Sequence, residues 1–176
     1  HTAWNAMGTD AVDINNDGLL DMYICKVGNY ETLHSKNQLL ICQGINKNGV
    51  PFYKDEAREY GLDFSGFSTQ AVFFAYDMDG DLDMFLLNHS VHQNGNFAPR
   101  KDFLGTYYPL SGDLLFRNDG TGLFTNVTKK STINSSAIMY GMGIVVGDMT
   151  SAGWPDISGG NYSHREAWTN INQKQG

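Results

Sequence analysis

The chain has 176 residues, with 15 Asp and 4 Glu against 12 Lys plus Arg and a formal net charge of -7. That is enough length for one domain with a sizeable core. The acidity disfavours nucleic acid, whose affinity comes largely from Lys and Arg on phosphates, and it disfavours an anionic membrane surface likewise. No apolar run approaches the ~20 residues of a spanning helix and no charged-then-apolar leader opens the sequence, so no membrane span is expected.

The first element, "MGTDAVDINNDGLLDMYI" (7–24), reads as a strand, a loop and a strand. Its loop puts oxygen-bearing side chains on alternate positions: Asp13, Asn15 and Asp17 at 1, 3 and 5, Gly18 at the turn, Leu19 able to offer its carbonyl at 7, and Asp21 closing at 9. Calcium is a hard cation that takes six to eight oxygens from carboxylates, carboxamides, carbonyls and water, and such spacing suits it. An EF-hand would need a bidentate Glu at position 12, where Ile24 stands. The closing Asp21 instead opens a strand, so the loop belongs to a β-hairpin.

A second motif follows at 37–57, an apolar strand, a Gly/Asn turn and a return strand carrying Phe52. "KDEAREYGL" (54–62) is the one plausible helical turn. The first motif then recurs at 69–86 with Ala75 at position 1 and Asp77, Asp79, Asp81 and Asp83 at 3, 5, 7 and 9. This acidic loop lacks its first ligand and is expected to bind more weakly. An insertion at 89–112 holds Phe97, Arg100, Lys101, Phe103, Tyr107 and Tyr108, and suits either recognition or packing on its own scaffold. The second motif recurs at 113–131 with Phe124. The first recurs again at 142–159, where Asp148 and Asp156 remain as candidate ligands while Thr150 and Ala152 replace the middle pair. Residues 166–176 begin a third copy of the second motif.

One Asp-Asn-Asp-Gly stretch alone reads equally well as a solvated turn. Recurrence in one frame, with Gly18, Gly80 and Gly153 each followed three residues later by Asp21, Asp83 and Asp156, favours metal binding. Catalytic signatures are missing: no G-x-S-x-G, H-E-x-x-H, P-loop or dinucleotide fingerprint occurs. His89 and His92 have no third ligand near them in sequence and read as surface residues. His1 as a copper-binding terminus is disfavoured. Cys25 and Cys42 permit one disulfide. Sequons begin at Asn88, Asn126, Asn134 and Asn161, open to glycans in a eukaryotic secretory source.

Two motifs alternating in repeats of roughly 60 residues, with short β-rich strands, are the pattern of propeller blades. These segments resemble the FG-GAP/VCBS repeats of integrin α-subunit-type propellers, and "GMGIVVGD", "GWPDI", "LLFRNDGTGLF" and "LLNHSVHQNG" look especially like the bacterial VCBS-type subgroup. The resemblance implies an all-β chain of β-propeller blades, each an antiparallel four-stranded sheet, about three blades' worth within a larger propeller or assembly. It implies Ca2+ held by the loops named above, export to the cell surface or medium, and a non-catalytic role in adhesion, carbohydrate or protein recognition, or scaffolding. The alternatives are an accessory domain of a secreted carbohydrate-active enzyme and a subunit of a head-to-tail filament. The expected division is 1–30 as the second half of a blade, 31–88 as a blade, 89–112 as an inserted loop, 113–160 as a blade and 161–176 as the first half of the next. Incomplete terminal blades of this kind could complete one another between chains.

Overall fold

The computed structural model describes residues 6–28, 34–89, 109–131, 133, 141–161 and 165–168. They form three antiparallel sheets. The first is ordered β1(Ala6–Val12), β2(Asp21–Lys26), β3(Gln38–Ile45), β4(Pro51–Asp55). The second is β5(Ser68–Phe74), β6(Asp83–Asn88), β7(Leu114–Asn118), β8(Phe124–Asn126). The third contains β9(Gly141–Gly147), β10(Asp156–Asn161) and β11(Arg165–Trp168), with β10 in the middle. The chain is all-β: among the described residues there is no α-helix, hence none able to cross a membrane, and only a 3-10 turn at Thr128–Lys130. The turn expected at 54–62 is a single one, closed by Tyr60 N–H on the Glu56 carbonyl (3.1 Å) and Leu62 N–H on that of Ala57 (2.7 Å).

The repeat seen in sequence is a repeat in register. Val12 pairs Asp21, Phe74 pairs Asp83 and Gly147 pairs Asp156. Each ladder then slips by one residue at the same place, between Ala6 and Gly8, Ser68 and Gln70, and Gly160 and Asn161 opposite Gly143 and Gly141. Such bulges bend and twist the strand that carries them.

The sheets stack in sequence order, β1 on β5 and β5 on β9. Gly8 lets the first pair approach, since a Cβ there would stand 2.3 Å from the Thr69 carbonyl oxygen. Asp10 Oδ2 accepts the Phe73 N–H across the seam (3.2 Å). Gly8 lies against Thr69 and Asp10 against Phe73, so β1 and β5 run parallel and the loops that follow them leave at the same end. The middle sheet is covered on both faces. Met84 and Leu86, with Phe73 of the same sheet, enter a core shared with Tyr23 and Leu39 of the first sheet, while Phe85 and Leu87 enter one shared with Ile157 of the third. All six residues of β6 are therefore buried, whereas β2, covered on one face, alternates.

One expectation changes. The first sheet is built from residues 6–55, so residues 1–30 are not the second half of a blade separate from residues 31–55; the second sheet runs across residues 68–126. A repeat gives a period and leaves open where each unit starts. That is settled by tertiary pinning: Asn37, just before β3, accepts the Lys26 N–H at the end of β2 (2.8 Å), so the second motif closes the sheet the first one opened. The cysteines, whose pairing the sequence left open, are unbridged. Cys25 lies opposite Gly8 and Cys42 opposite Tyr53, both buried and free, and burial pushes the Cys25 thiol up to about 12.

Candidate metal centre

Each loop joins the first two strands of its sheet, and the three share one backbone path. Position 4 is left-handed in every copy, at Asn16 (φ 61°), Met78 (φ 59°) and Ser151 (φ 57°). Position 6 is glycine with φ of 86°, 108° and 80° at Gly18, Gly80 and Gly153, where a side chain would be strained although the space around it is open.

The closing aspartates Asp21, Asp83 and Asp156 are all 0 % exposed. Each accepts the N–H of position 2: Ile14 on Asp21 at 3.0 Å, Tyr76 on Asp83 at 2.8 Å, Met149 on Asp156 at 2.9 Å. In the two four-stranded sheets the other oxygen reaches the third strand, taking the Cys42 N–H at 2.8 Å and the Asn118 N–H at 2.9 Å. The residue expected only as a ligand thus also ties the loop entrance to the neighbouring hairpin. Burial raises the carboxyls of Asp21 and Asp83 against these hydrogen bonds, Asp83 to about 6.

The first and third loops are internally satisfied at position 1. Asp13 accepts the N–H groups of Asp17 (3.0 Å) and Gly18 (2.8 Å), and Asp148 those of Ala152 (3.0 Å) and Gly153 (2.8 Å). In the first loop Asn15 donates to Asp17 Oδ2 (2.9 Å), and Leu19 N–H bonds Asp17 Oδ1 (2.8 Å). In the third, the Thr150 hydroxyl bonds Asp156 directly (3.1 Å).

The second loop differs. With Ala75 at position 1, no carboxylate caps the turn, and Asp77 Oδ1 and Asp81 Oδ1 are buried without a hydrogen-bond partner. Asp79 Oδ1 accepts the Asp81 N–H (3.3 Å). Burial and then the Asp79 charge raise Asp77; burial and then the bond to Asp79 raise Asp81. Asp81 also adjoins the β7–β8 turn, its Oδ2 3.5 Å from where a Cβ on Gly120 would be. Arg117 on β7 is the cation facing this loop, 3.9 Å from Asp77 Oδ2. As they stand, no three His, Cys, Asp or Glu side chains among the described residues are gathered closely enough to hold an ion. The donor set is nonetheless one that a hard divalent cation fits: three successive carboxylates at alternate positions, two with a buried oxygen that no donor reaches.

Sequence reasoning missed a buried polar chain between the first two sheets. Tyr23 Oη donates to the Leu62 carbonyl (2.9 Å), Asn37 Nδ2 to Tyr23 Oη (3.0 Å) and Ser68 Oγ (2.9 Å), Ser68 to Asn88 Oδ1 (2.9 Å), and Asn88 Nδ2 to the Gly112 carbonyl (2.7 Å). Asp113 accepts the Asn88 N–H (2.8 Å) as Asn37 accepts that of Lys26. A signal existed, because Asn37 and Asp113 open the two copies of the second motif. Asn88 is 0 % exposed, so its sequon is engaged in the core, whereas Asn126 is exposed on β8. His89 is half-buried. His1, His92, Asn134, the aromatic and basic residues of the insertion from Phe97 to Tyr108, and residues 169–176 lie outside the described residues. No family model matches the chain, and no curated protein matches it.

Proposed function

We propose that the chain is an FG-GAP/VCBS-type β-propeller segment, stapled by calcium, that serves outside the cell as a recognition or scaffold module for a glycan or protein ligand without chemistry of its own. The observation that carries this reading is the threefold loop: one backbone path, one buried closing aspartate and one bulge, at the same place in three sheets stacked first strand on first strand. Propellers close with four to eight blades, so three sheets would need further blades, from a longer chain or from other copies.

Calcium would be held in the second loop by Asp77, Asp79 and Asp81, and in the first by Asp13, Asn15 and Asp17 with the Leu19 carbonyl. When bound, the ion supplies positive charge that lets clustered oxygens sit together. The protein's own part is to bring those oxygens to one end of a hairpin whose root the closing aspartates hold. The third loop, with a hydroxyl and an alanine in the middle, favours closure by its own hydrogen bonds.

Extracellular modules of this class bind calcium with Kd of about 10⁻⁴ to 10⁻³ M, which at millimolar calcium adds roughly 0.4 to 1.4 kcal/mol. Calorimetric titration at millimolar calcium, with wild type beside Asp81→Ala, tests the reading. Saturable heat in the wild type that weakens in the variant is expected; a wild type giving neither heat nor a rise in Tm overturns it.

A further inference from the structure

We infer that Arg117 is a built-in rival of the metal: its guanidinium partly neutralises the second loop when no ion is bound and must be displaced electrostatically when one arrives. The inference rests on the calcium reading of that loop and concerns how its occupancy is regulated.

Arg117 projects from β7, the strand that already reaches the loop through Asn118 N–H on Asp83 and Asn118 Nδ2 on the Leu82 carbonyl (3.3 Å). Its Nη1 stands 3.9 Å from Asp77 Oδ2, too far for a hydrogen bond and near enough for charge to act. Arg117 is half-exposed at 48 %, while Asp77 is 17 % exposed and keeps its other oxygen buried and without a donor. The guanidinium therefore compensates without satisfying.

The first sheet supplies an independent comparison. Cys42 and Asn118 occupy equivalent places, each giving its N–H to the closing aspartate, so Ile41 is the counterpart of Arg117. Position 3 of the loop changes with it: neutral Asn15 accompanies buried Ile41, and acidic Asp77 accompanies Arg117. Acid and base appear together in one sheet and are both replaced in the other, as an electrostatic pair requires.

A bound divalent cation and a guanidinium compete for the same carboxylate, so removing Arg117 should tighten calcium while weakening the ion-free fold. The test is calorimetric calcium titration together with thermal melts in EDTA on wild type, Arg117→Ile and Arg117→Lys. Arg117→Ile is expected to bind calcium about 3- to 10-fold more tightly and to melt lower than wild type in EDTA, whereas Arg117→Lys, which keeps the charge, stays near wild type in both. The double variant Asp77→Asn with Arg117→Ile, which copies the first sheet, should regain the ion-free Tm. Unchanged or weaker calcium binding in Arg117→Ile, with wild type binding normally, overturns the role of Arg117 alone. A wild type that shows no calcium response sinks the metal reading and this inference together.

Discussion

The first and second loops have the same backbone, the same glycine and the same closing aspartate, yet one is at rest and the other is not. In the first, Asp13 collects the two N–H groups at the turn, and the Asn15 carboxamide bridges to Asp17. In the second, Ala75 leaves that cap out and a third acidic group crowds in at position 7, so buried oxygens of Asp77 and Asp81 have no donor. A buried polar atom without a partner costs free energy unless something outside the chain supplies the charge. On the proposed calcium reading, shape and metal demand are separable: hydrogen bonds to aspartates at the loop ends make the shape, and the middle positions would set how much a cation is needed.

The largest effect should come from what the two loops have in common. Asp21→Ala or Asp83→Ala strands two backbone N–H groups, at about 1–3 kcal/mol each, so either should cost about 2–6 kcal/mol in urea unfolding with EDTA present. A loss below 1 kcal/mol in both would break the idea of a shared structural root.

Next in size is a change that separates the loops. Asp17→Ala removes the acceptor of the Leu19 N–H (2.8 Å) and should destabilise the ion-free protein by about 1 kcal/mol, whereas Asp79→Ala gives up only the longer bond from the Asp81 N–H (3.3 Å) while relieving carboxylate crowding, and should leave ion-free Tm near level while reducing calcium affinity. Equal losses of ion-free Tm in the two variants would erase the distinction.

The pH response sharpens it further. Burial lifts Asp83 to about 6, against roughly 3.9 in an unfolded chain. The folded state therefore holds a proton that the unfolded state has lost, and stability falls as pH rises from about 4 through about 6. Melts in EDTA should show this fall in wild type and a shallower one in Asp83→Asn. Asp21 is raised by burial too and acts in the same direction.

The smallest effect concerns backbone strain at position 4. Met78 occupies the left-handed region at φ 59° where its sister position holds Asn16 at φ 61°. Asparagine tolerates that region better than methionine, so Met78→Asn should stabilise by about 0.5 kcal/mol, read as a small rise in Tm with calcium affinity unchanged.

The all-β character, the two alternating motifs and the three glycine–aspartate loops were legible in the residues alone, because β-rich runs punctuated by glycine and aspartate specify hairpins through local rules of turn and strand. The sequence also placed the single turn at 54–62. It did not determine where each sheet starts, that Cys25 and Cys42 stay apart, or that Asp21 and Asp83 answer to Cys42 and Asn118 far along the chain. Nor did it reveal the polar chain from Tyr23 to Asn88, or Arg117 facing Asp77 from another strand. These depend on which segments meet across loops and between sheets, and on which polar atoms lose water when they do. Burial and long-range pairing are properties of the packed chain, and they emerge when distant strands come together and exclude water.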